Sequence, residues 1–266
     1  MDRHLKDKFD TLIDYLSSYE KVGVACSGGV DSTFLAYACC RALGPERVVI
    51  LFGDSNLQST ELRTSIKDRL TKDLGERVQI EKILVDPFIH GAFVKNSSDR
   101  CYVCKKYIFR TFFEYLAGQK TEVLFDGTNC DDLHEDRPGL KALQELGVVS
   151  PLVETSFHKK DIRHSASALG LVCADLPSNS CLATRIERLT PIDEQMLRSI
   201  EAMECFLHER GYHGCRVRPR SEAAIIEVLA EDIEKISEQN ERRVIISYFQ
   251  THGYDTIMLD LGGRTR

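Results

Sequence analysis

Four short β-type runs, Val22–Cys26, Val48–Phe52, Val78–Leu84 and Val123–Phe125, alternate with helical stretches, and this alternation limits the possible folds most. A first helix is predicted over 4–19, where Leu5, Phe9, Leu12, Ile13 and Leu16 recur at helical spacing. Further helices are predicted over 32–43, 59–74 and 102–116. Such a pattern predicts the α/β class, a parallel sheet with helices on both faces. After Pro151 the pattern changes. Helices are expected over 158–169, 193–210 and 231–249, strands over 223–229 and 256–261, and a polar loop over 175–188. We place a domain boundary near residue 188, giving a larger domain over 1–188 and a small C-terminal α/β domain over 189–266. The core of so short a tail is marginal alone, so it is expected to dock on the first domain or on another subunit.

The 35 basic residues against 41 acidic ones leave a net charge of −6, which argues against a general nucleic-acid binder. A local anion site is still compatible with that balance. The longest apolar runs are too short to span a bilayer, and MDRHLKDKFD lacks the apolar segment of a signal peptide. The expected location is cytoplasmic, with no membrane partner. In a reducing compartment the ten cysteines point to thiols, metal ligands or redox groups rather than structural disulfides.

The sharpest motif is Ser27-Gly28-Gly29-Val30-Asp31-Ser32, directly after the first strand. Two glycines allow positive φ and close approach of backbone to an anion. The Ser27 and Ser32 hydroxyls can donate hydrogen bonds, and the helix that follows offers unpaired N–H groups to phosphate. Asp31 is a candidate to help hold Mg²⁺ or to position the loop. A Walker loop would need a Lys here and a Rossmann fingerprint would need GxGxxG; neither is present. Phe52-Gly53-Asp54-Ser55 and Asp126-Gly127-Thr128-Asn129 follow the second and fourth strands. Loops at the carboxyl ends of neighbouring strands converge on ligands, so Ser55 and Gly127 join the candidate nucleotide residues. The SGGxDS pattern resembles the PP-loop of the ATP pyrophosphatase superfamily. That resemblance implies cleavage of ATP between its α and β phosphates and transfer of AMP to a substrate oxygen.

Asp99-Arg100-Cys101-Tyr102-Val103-Cys104-Lys105 holds a CxxC, and Cys181 lies in PSNSCLATR beside Arg185. By itself the CxxC is compatible with zinc, a redox pair or chance, and there is no second CxxC to complete a zinc site. Arg185 could lower a thiolate pKa if it lay close to Cys181. Cys39 and Cys40, in an apolar helix, read as core. Cys130, after the third loop, could approach the site.

PSNSCLATRI, DGTNCDDLHEDRPGLKALQELGVVSPL, RVRPR, LDLGGR and the SGGVDS loop together resemble the LarE family over nearly the whole chain. The resemblance implies an ATP-dependent sulfurtransferase for the nickel-pincer nucleotide cofactor. Its substrate would be pyridinium-3,5-biscarboxylic acid mononucleotide. A carboxylate would be adenylated and then attacked by sulfur to leave a thiocarboxylate. One subclass of that family gives up the sulfur of the cysteine matching Cys181. A second, with a CxxC, holds a [4Fe–4S] cluster on the three cysteines matching Cys101, Cys104 and Cys181 and delivers an extra sulfide. Three thiolates leave one iron position open, which is chemically consistent with the second subclass. Structural zinc and a persulfide relay remain as alternatives, as does a sacrificial Cys181.

Arg216 and Arg218 alternate in CRVRPR, a strand spacing that puts both on one face, where two guanidinium forks would suit a phosphate. A solvated basic strand is the plainer reading. By resemblance, both positions bind the substrate phosphate. Glu204 matches an acidic residue near the site and is a candidate metal ligand. Arg264 is a third phosphate candidate that could reach a neighbouring subunit. Asp131 and Asp132 read as helix-starting caps. The expected partners are the small pyridinium mononucleotide, a sulfide donor and further copies of the chain, a hexamer by resemblance.

Three other readings compete. A tRNA thiolase of the same superfamily would need a basic RNA surface. An ammonia-using synthetase would leave the three cysteines without a task. A non-enzymatic nucleotide-binding module would leave the arginine pair unexplained as well.

Overall fold

The computed structural model describes residues 2–121, 123–134, 138–176 and 180–264. Contacts divide the chain into two compact units. The first holds Met1–Ser55, Thr60–Phe93 and Ser98–Leu176, and the second holds Asn56–Ser59, Val94–Ser97 and Pro177–Arg266.

Through residue 176 the chain runs α1 (Arg3–Ser17), β1 (Val22–Ala25), α2 (Val30–Leu43), β2 (Val48–Asp54), α3 (Thr60–Leu74), β3 (Gln79–Leu84), α4 (Gly91–Val94), α5 (Arg100–Gly118), β4 (Leu124–Asp126), α6 (Pro138–Glu145), α7 (Pro151–Glu154) and α8 (Lys159–Ala168). The four strands form one parallel sheet in the order β3-β2-β1-β4, so the α/β expectation holds. Alternate strand residues feed two cores. Val22, Val24, Val48, Ile50 and Phe52 pack with Phe34 and Leu35 of α2, Ile66 of α3 and Ile162 of α8. Ala25, Val49, Leu51 and Leu124 pack instead with Phe109, Phe112 and Leu116 of α5 and Leu143 of α6. Burial on both faces is why β1 and most of β2 are continuously apolar in sequence.

The chain builds outward from β1 to β2 and β3, then returns to place β4 on the other side of β1. The strand order therefore reverses between β1 and β4. In a parallel sheet the crevice for a ligand opens there, beyond the carboxyl ends.

The second unit contributes α9 (Glu194–Glu209), β5 (Arg216–Arg220), β6 (Ala223–Glu227), α10 (Ile233–Ile236), α11 (Gln239–Thr251) and β7 (Thr256–Leu259). Its sheet runs β5-β6-β7, with β5 antiparallel and β7 parallel to β6. Val217, Ala224 and Ile226 turn inward against Met203 and Leu207 of α9 and Ile245 and Phe249 of α11. Pro219 is tolerated because β5 is an edge strand. Arg216, Arg218 and Arg220 alternate with the buried positions and share the opposite face.

Three expectations change. The single helix expected over 231–249 is broken into α10 and α11, because Glu238 takes an extended backbone conformation. The polar stretch 175–188 contains a 3₁₀ turn at Leu182–Arg185. The short helices α6 and α7 appear where none was expected. The sequence boundary near 188 differs from the observed division, because residues before 188 bond within the second unit. Leu182 N–H donates to Leu57 O at 2.8 Å, and Asn96 Nδ2 donates to Glu187 O at 2.7 Å and Thr190 O at 2.9 Å. Among the described residues no helix is long and apolar enough to cross a membrane.

Candidate active site

In the first unit, β1 ends at Ala25 and α2 begins at Val30, so the SGGVDS loop spans the turn between them. Gly28 adopts φ +78°, a conformation that favours glycine. Ser32 fastens the loop from inside. Its Oγ accepts from Ser27 N–H at 3.2 Å, lies 3.3 Å from Ser27 Oγ and donates to Gly29 O at 3.2 Å. The helix is capped by Gly29, which has no side chain to occupy the first N–H groups. Asp31 is the acidic residue of that first turn. This is the local architecture of an anion site at a helix N-terminus.

The loop after β4 packs directly on this turn. A Cβ on Gly127 would stand 2.7 Å from Ser32 N and 2.8 Å from Ser32 Cα, so only glycine fits. Gly127 thus serves backbone-to-backbone packing on the phosphate loop. Asp126, buried at the end of β4, accepts hydrogen bonds from Thr128 Oγ1 and from Ser150 Oγ at 2.6 Å. Asn129 is fully buried. Its Oδ1 accepts from Asp131 N–H at 3.0 Å, while its Nδ2 has no hydrogen-bond partner among the described residues. A buried amide donor left unmatched beside the crevice is what a nucleotide-binding loop would keep for its ligand. Nothing in the sequence distinguished Asn129 from its neighbours. Asp132 accepts from Asn129 N–H at 3.1 Å, and Asp131 accepts from His158 Nδ1 at 2.8 Å and Lys159 N–H at 2.7 Å. Both acids hold turns, in the manner of caps.

Ser55 follows β2 and is buried. Burial pushes the neighbouring Asp54 carboxyl up, but Arg63 and Lys82 outweigh it and hold the group below its ordinary value.

The second unit gathers arginines. Arg216 has a buried Nε with no hydrogen-bond partner among the described residues. Burial, and then the charges of Arg264, Arg185 and Arg218, bring its pKa down to about 10. Arg218 is paired with Glu227 across the β5–β6 ladder and donates from Nη1 to Thr184 O at 2.8 Å. Arg264 donates to Gly214 O in its own chain, and its backbone bridges to Leu229. Arg264 thus lies near Arg216 within its own chain. Arg185 and Arg218 have the carboxylates of Glu204 and Glu227 as partners, which leaves Arg216 as the guanidinium of the cluster with a buried Nε open to an anion.

Arg185 and Glu204, both buried, lie at the base of this cluster. Arg185 Nε donates to Glu204 Oε1 at 2.8 Å and Nη2 donates to Oε2 at 3.2 Å. Glu204 Oε1 also accepts from Val217 N–H at 2.9 Å. Both carboxylate oxygens are thus engaged, Oε1 by Arg185 and Val217 and Oε2 by Arg185. Arg185 reaches the Cys181 backbone rather than acting as a lone charge beside the thiol.

Cys101 and Cys104 stand three residues apart in the first turn of α5, hence on one helix face, and belong to the first unit. Cys181 belongs to the second unit; Pro177, Ser178 and Asn179 of its motif lie outside the described residues. All three cysteines are partly exposed, whereas Cys26, Cys39, Cys173 and Cys215 are buried. Burial pushes those four thiols up, and takes Cys40 to about 12, so they are poor thiolates. Burial also raises the thiol of Cys130. Three thiolates are the usual ligands of an iron–sulfur cluster with one open iron position. Among the described residues no group of three or more His, Cys, Asp or Glu is gathered as a bound metal ion would need.

The family described as NAD synthase matches residues 4–132, the stretch that carries all four strands of the parallel sheet. The chain is 33% identical, over 98% of its length, to the uncharacterized protein MJ0830 of Methanocaldococcus jannaschii, of which it covers 94%. It is 29% identical over 97% of its length to the uncharacterized protein slr1717 of Synechocystis, covering 95% of that chain. It is also 29% identical over 97% of its length to the pyridinium-3,5-bisthiocarboxylic acid mononucleotide synthase of Lactiplantibacillus plantarum, covering 92%.

Proposed function

The chain belongs to the family of Methanocaldococcus jannaschii MJ0830 and carries an NAD synthase-family domain of the PP-loop superfamily, and from that premise we propose an ATP-dependent sulfurtransferase acting on a pyridinium mononucleotide. Similarity to the Lactiplantibacillus plantarum synthase along almost the whole chain supports the substrate class. The observation that carries the reading is the arginine cluster. The NAD synthase match ends at residue 132, while Arg216, Arg218 and Arg264 lie in the other unit, where they would form a second anion seat. A nucleotide-binding module alone has no use for it.

In this reading the backbone of Ser27, Gly28 and Gly29 and the hydroxyls of Ser27, Ser32 and Ser55 bind the ATP phosphates. Gly127 holds the loop after β4 against them. Asp31 would hold Mg²⁺, which supplies charge neutralisation on the polyphosphate. Arg216, Arg218 and Arg264 bind the phosphate of the substrate. A substrate carboxylate oxygen attacks the α phosphorus and pyrophosphate leaves. Sulfur then attacks the acyl carbon, the C–O bond to AMP breaks, and a thiocarboxylate remains.

Cys101, Cys104 and Cys181 would hold a [4Fe–4S] cluster; what supports this is the pair three residues apart at the start of α5 and the partial exposure of all three, a class they share with Cys40, Cys130 and Cys205. When bound, such a cluster supplies the sulfur as sulfide. The product would enter nickel-pincer nucleotide synthesis, and the assembly is proposed to be a homo-oligomer. Residues 1–188 would bind ATP, and 189–266 would bind the substrate phosphate and mediate assembly.

The test is to incubate the purified protein with ATP, pyridinium-3,5-biscarboxylic acid mononucleotide and sulfide under anaerobic conditions. AMP, pyrophosphate and thiocarboxylate are expected in step. ATP cleavage that ignores the pyridinium substrate, or no thiocarboxylate by mass spectrometry, would overturn the reading.

A further inference from the structure

Arg185 ends the 3₁₀ turn that begins one residue after Cys181, and its side chain is 3% exposed. A buried guanidinium is costly unless its hydrogen bonds are met. Here they are met from both sides. One edge of the fork takes Glu204, as described above. The opposite nitrogen, Nη1, donates to Ser180 Oγ at 2.6 Å, Thr184 Oγ1 at 3.0 Å, Ser180 O at 3.1 Å and Cys181 O at 3.4 Å. Thr184 adds a further bond, Oγ1 to Cys181 O at 2.7 Å.

The acceptors on the other side belong to the phosphate seat. Glu204 Oε1 takes the N–H of Val217, the residue between Arg216 and Arg218 on β5. Arg218 Nη1 returns to Thr184 O, and Arg220 Nη1 to Arg185 O at 3.4 Å. The turn that carries Cys181 and the strand that carries the arginines are thus joined through one side chain. Lysine could supply the charge but not the planar fork that bonds in both directions.

We propose that Arg185 is a positioning residue that fixes the Cys181 sulfur relative to the Arg216–Arg218 phosphate seat. This rests on the sulfurtransferase reading for its benefit, since a substrate held by its phosphate must present a carboxyl carbon at a set distance. A misplacement of about 1 Å in such a geometry lowers a rate by roughly 100-fold. ATP binding uses the phosphate loop of the first unit and does not pass through Arg185.

The test uses the full chain with Arg185→Lys and with the double variant Arg185→Met/Glu204→Met, whose apolar pair fills similar space without a buried charge. Two readouts are taken. The first is single-turnover sulfur transfer beside AMP formation and ATP affinity. For Arg185→Lys, sulfur transfer is expected to fall about 10- to 100-fold relative to AMP formation, while ATP affinity stays at the wild-type value. The second is the rate of Cys181 alkylation by iodoacetamide in cluster-free protein, read by peptide mass spectrometry with Cys101 and Cys104 as internal controls. Cys181 should react several-fold faster in both variants and the controls at the wild-type rate. If Arg185→Lys melts early, the double variant carries the test. Wild-type sulfur transfer and wild-type Cys181 alkylation in the variants would overturn the proposal, as would a parallel loss of AMP formation, sulfur transfer and thermal stability. If the wild-type protein transfers no sulfur, the functional reading fails, and the alkylation result decides the role of Arg185 alone.

Discussion

The backbone nitrogen of Ser32 lies 2.7 Å from the point where a Cβ on Gly127 would stand. A methyl group there must push either the phosphate loop or the loop after β4. Gly127→Ala is therefore expected to slow AMP and pyrophosphate formation at least 10-fold and to destabilise the fold by about 1–3 kcal/mol, as overpacking against backbone does. Thermal melting and a pyrophosphate assay check the two arms. Full activity with an unchanged melting temperature would mean that the loops can separate freely.

Asp31→Ala adds no atoms and leaves the Ser32 fastening in place. The expected outcome is an intact fold with AMP formation abolished. Circular dichroism and the same assay separate these effects, and wild-type turnover would remove Asp31 from the mechanism.

Arg216 carries an unfavourable charge until an anion arrives. Its pKa lies below the ordinary guanidinium value, near 10, through burial and then the charges of Arg264, Arg185 and Arg218. A depressed pKa in a base means that folding disfavours the protonated form. Stability therefore rises as pH climbs through 10 toward the unfolded value, and neutral substitution should stabilise. Arg216→Gln is expected to gain about 1 kcal/mol without ligand, after discounting for solvent screening. It should also lose roughly 10- to 150-fold in mononucleotide affinity, the size of a lost charge-assisted hydrogen bond of about 1.5–3 kcal/mol. In the wild type that affinity should hold from neutral pH to about 9 and fall through 10. Melting curves and binding titrations across this range are the check. A destabilised Arg216→Gln variant with full affinity would return Arg216 to the role of a solvated strand residue.

Alanine at Cys101, Cys104 or Cys181 should each sharply lower the iron and acid-labile sulfide retained after anaerobic reconstitution. Alanine at Cys39, which lies wholly inside the first core, should not do so except by unfolding the chain. With the cluster present, many sulfur atoms per chain are expected and Cys181 should stay intact. Turnover that stops at one sulfur, with Cys181 converted to dehydroalanine, would identify a sacrificial cysteine instead.

The parallel sheet was legible because β1 and most of β2 are buried on both faces, so apolar residues fill consecutive positions. The phosphate loop was legible because its chemistry is local: two glycines and two serines within six residues. Arg185 was not. Its ion-pair partner lies 19 residues away and the strand it supports lies further still. Spacing could suggest only a charge beside a thiol. The break between α10 and α11 was hidden for a different reason. Apolar residues recur at helical spacing on both sides of Ser237 and Glu238, while the interruption is a single extended backbone conformation. Glu204 entered as a candidate through resemblance alone; its bonds to Val217 N–H and Arg185 join positions 13 and 19 residues apart that spacing does not link.

Two short early segments, Asn56–Ser59 and Val94–Ser97, belong to the second unit although most of that unit starts at residue 177. A ribosome makes them first. Leu57 O waits for Leu182, and the Asn96 amide waits for the carbonyls of Glu187 and Thr190, through the synthesis of 90 or more intervening residues. The phosphate-loop unit thus emerges with two stitches open, and the second unit cannot close until residues beyond 177 have followed. A gene cut at residue 176 would split the protein between bonding partners, so the arginine-bearing half cannot be lent to another enzyme as a simple cassette.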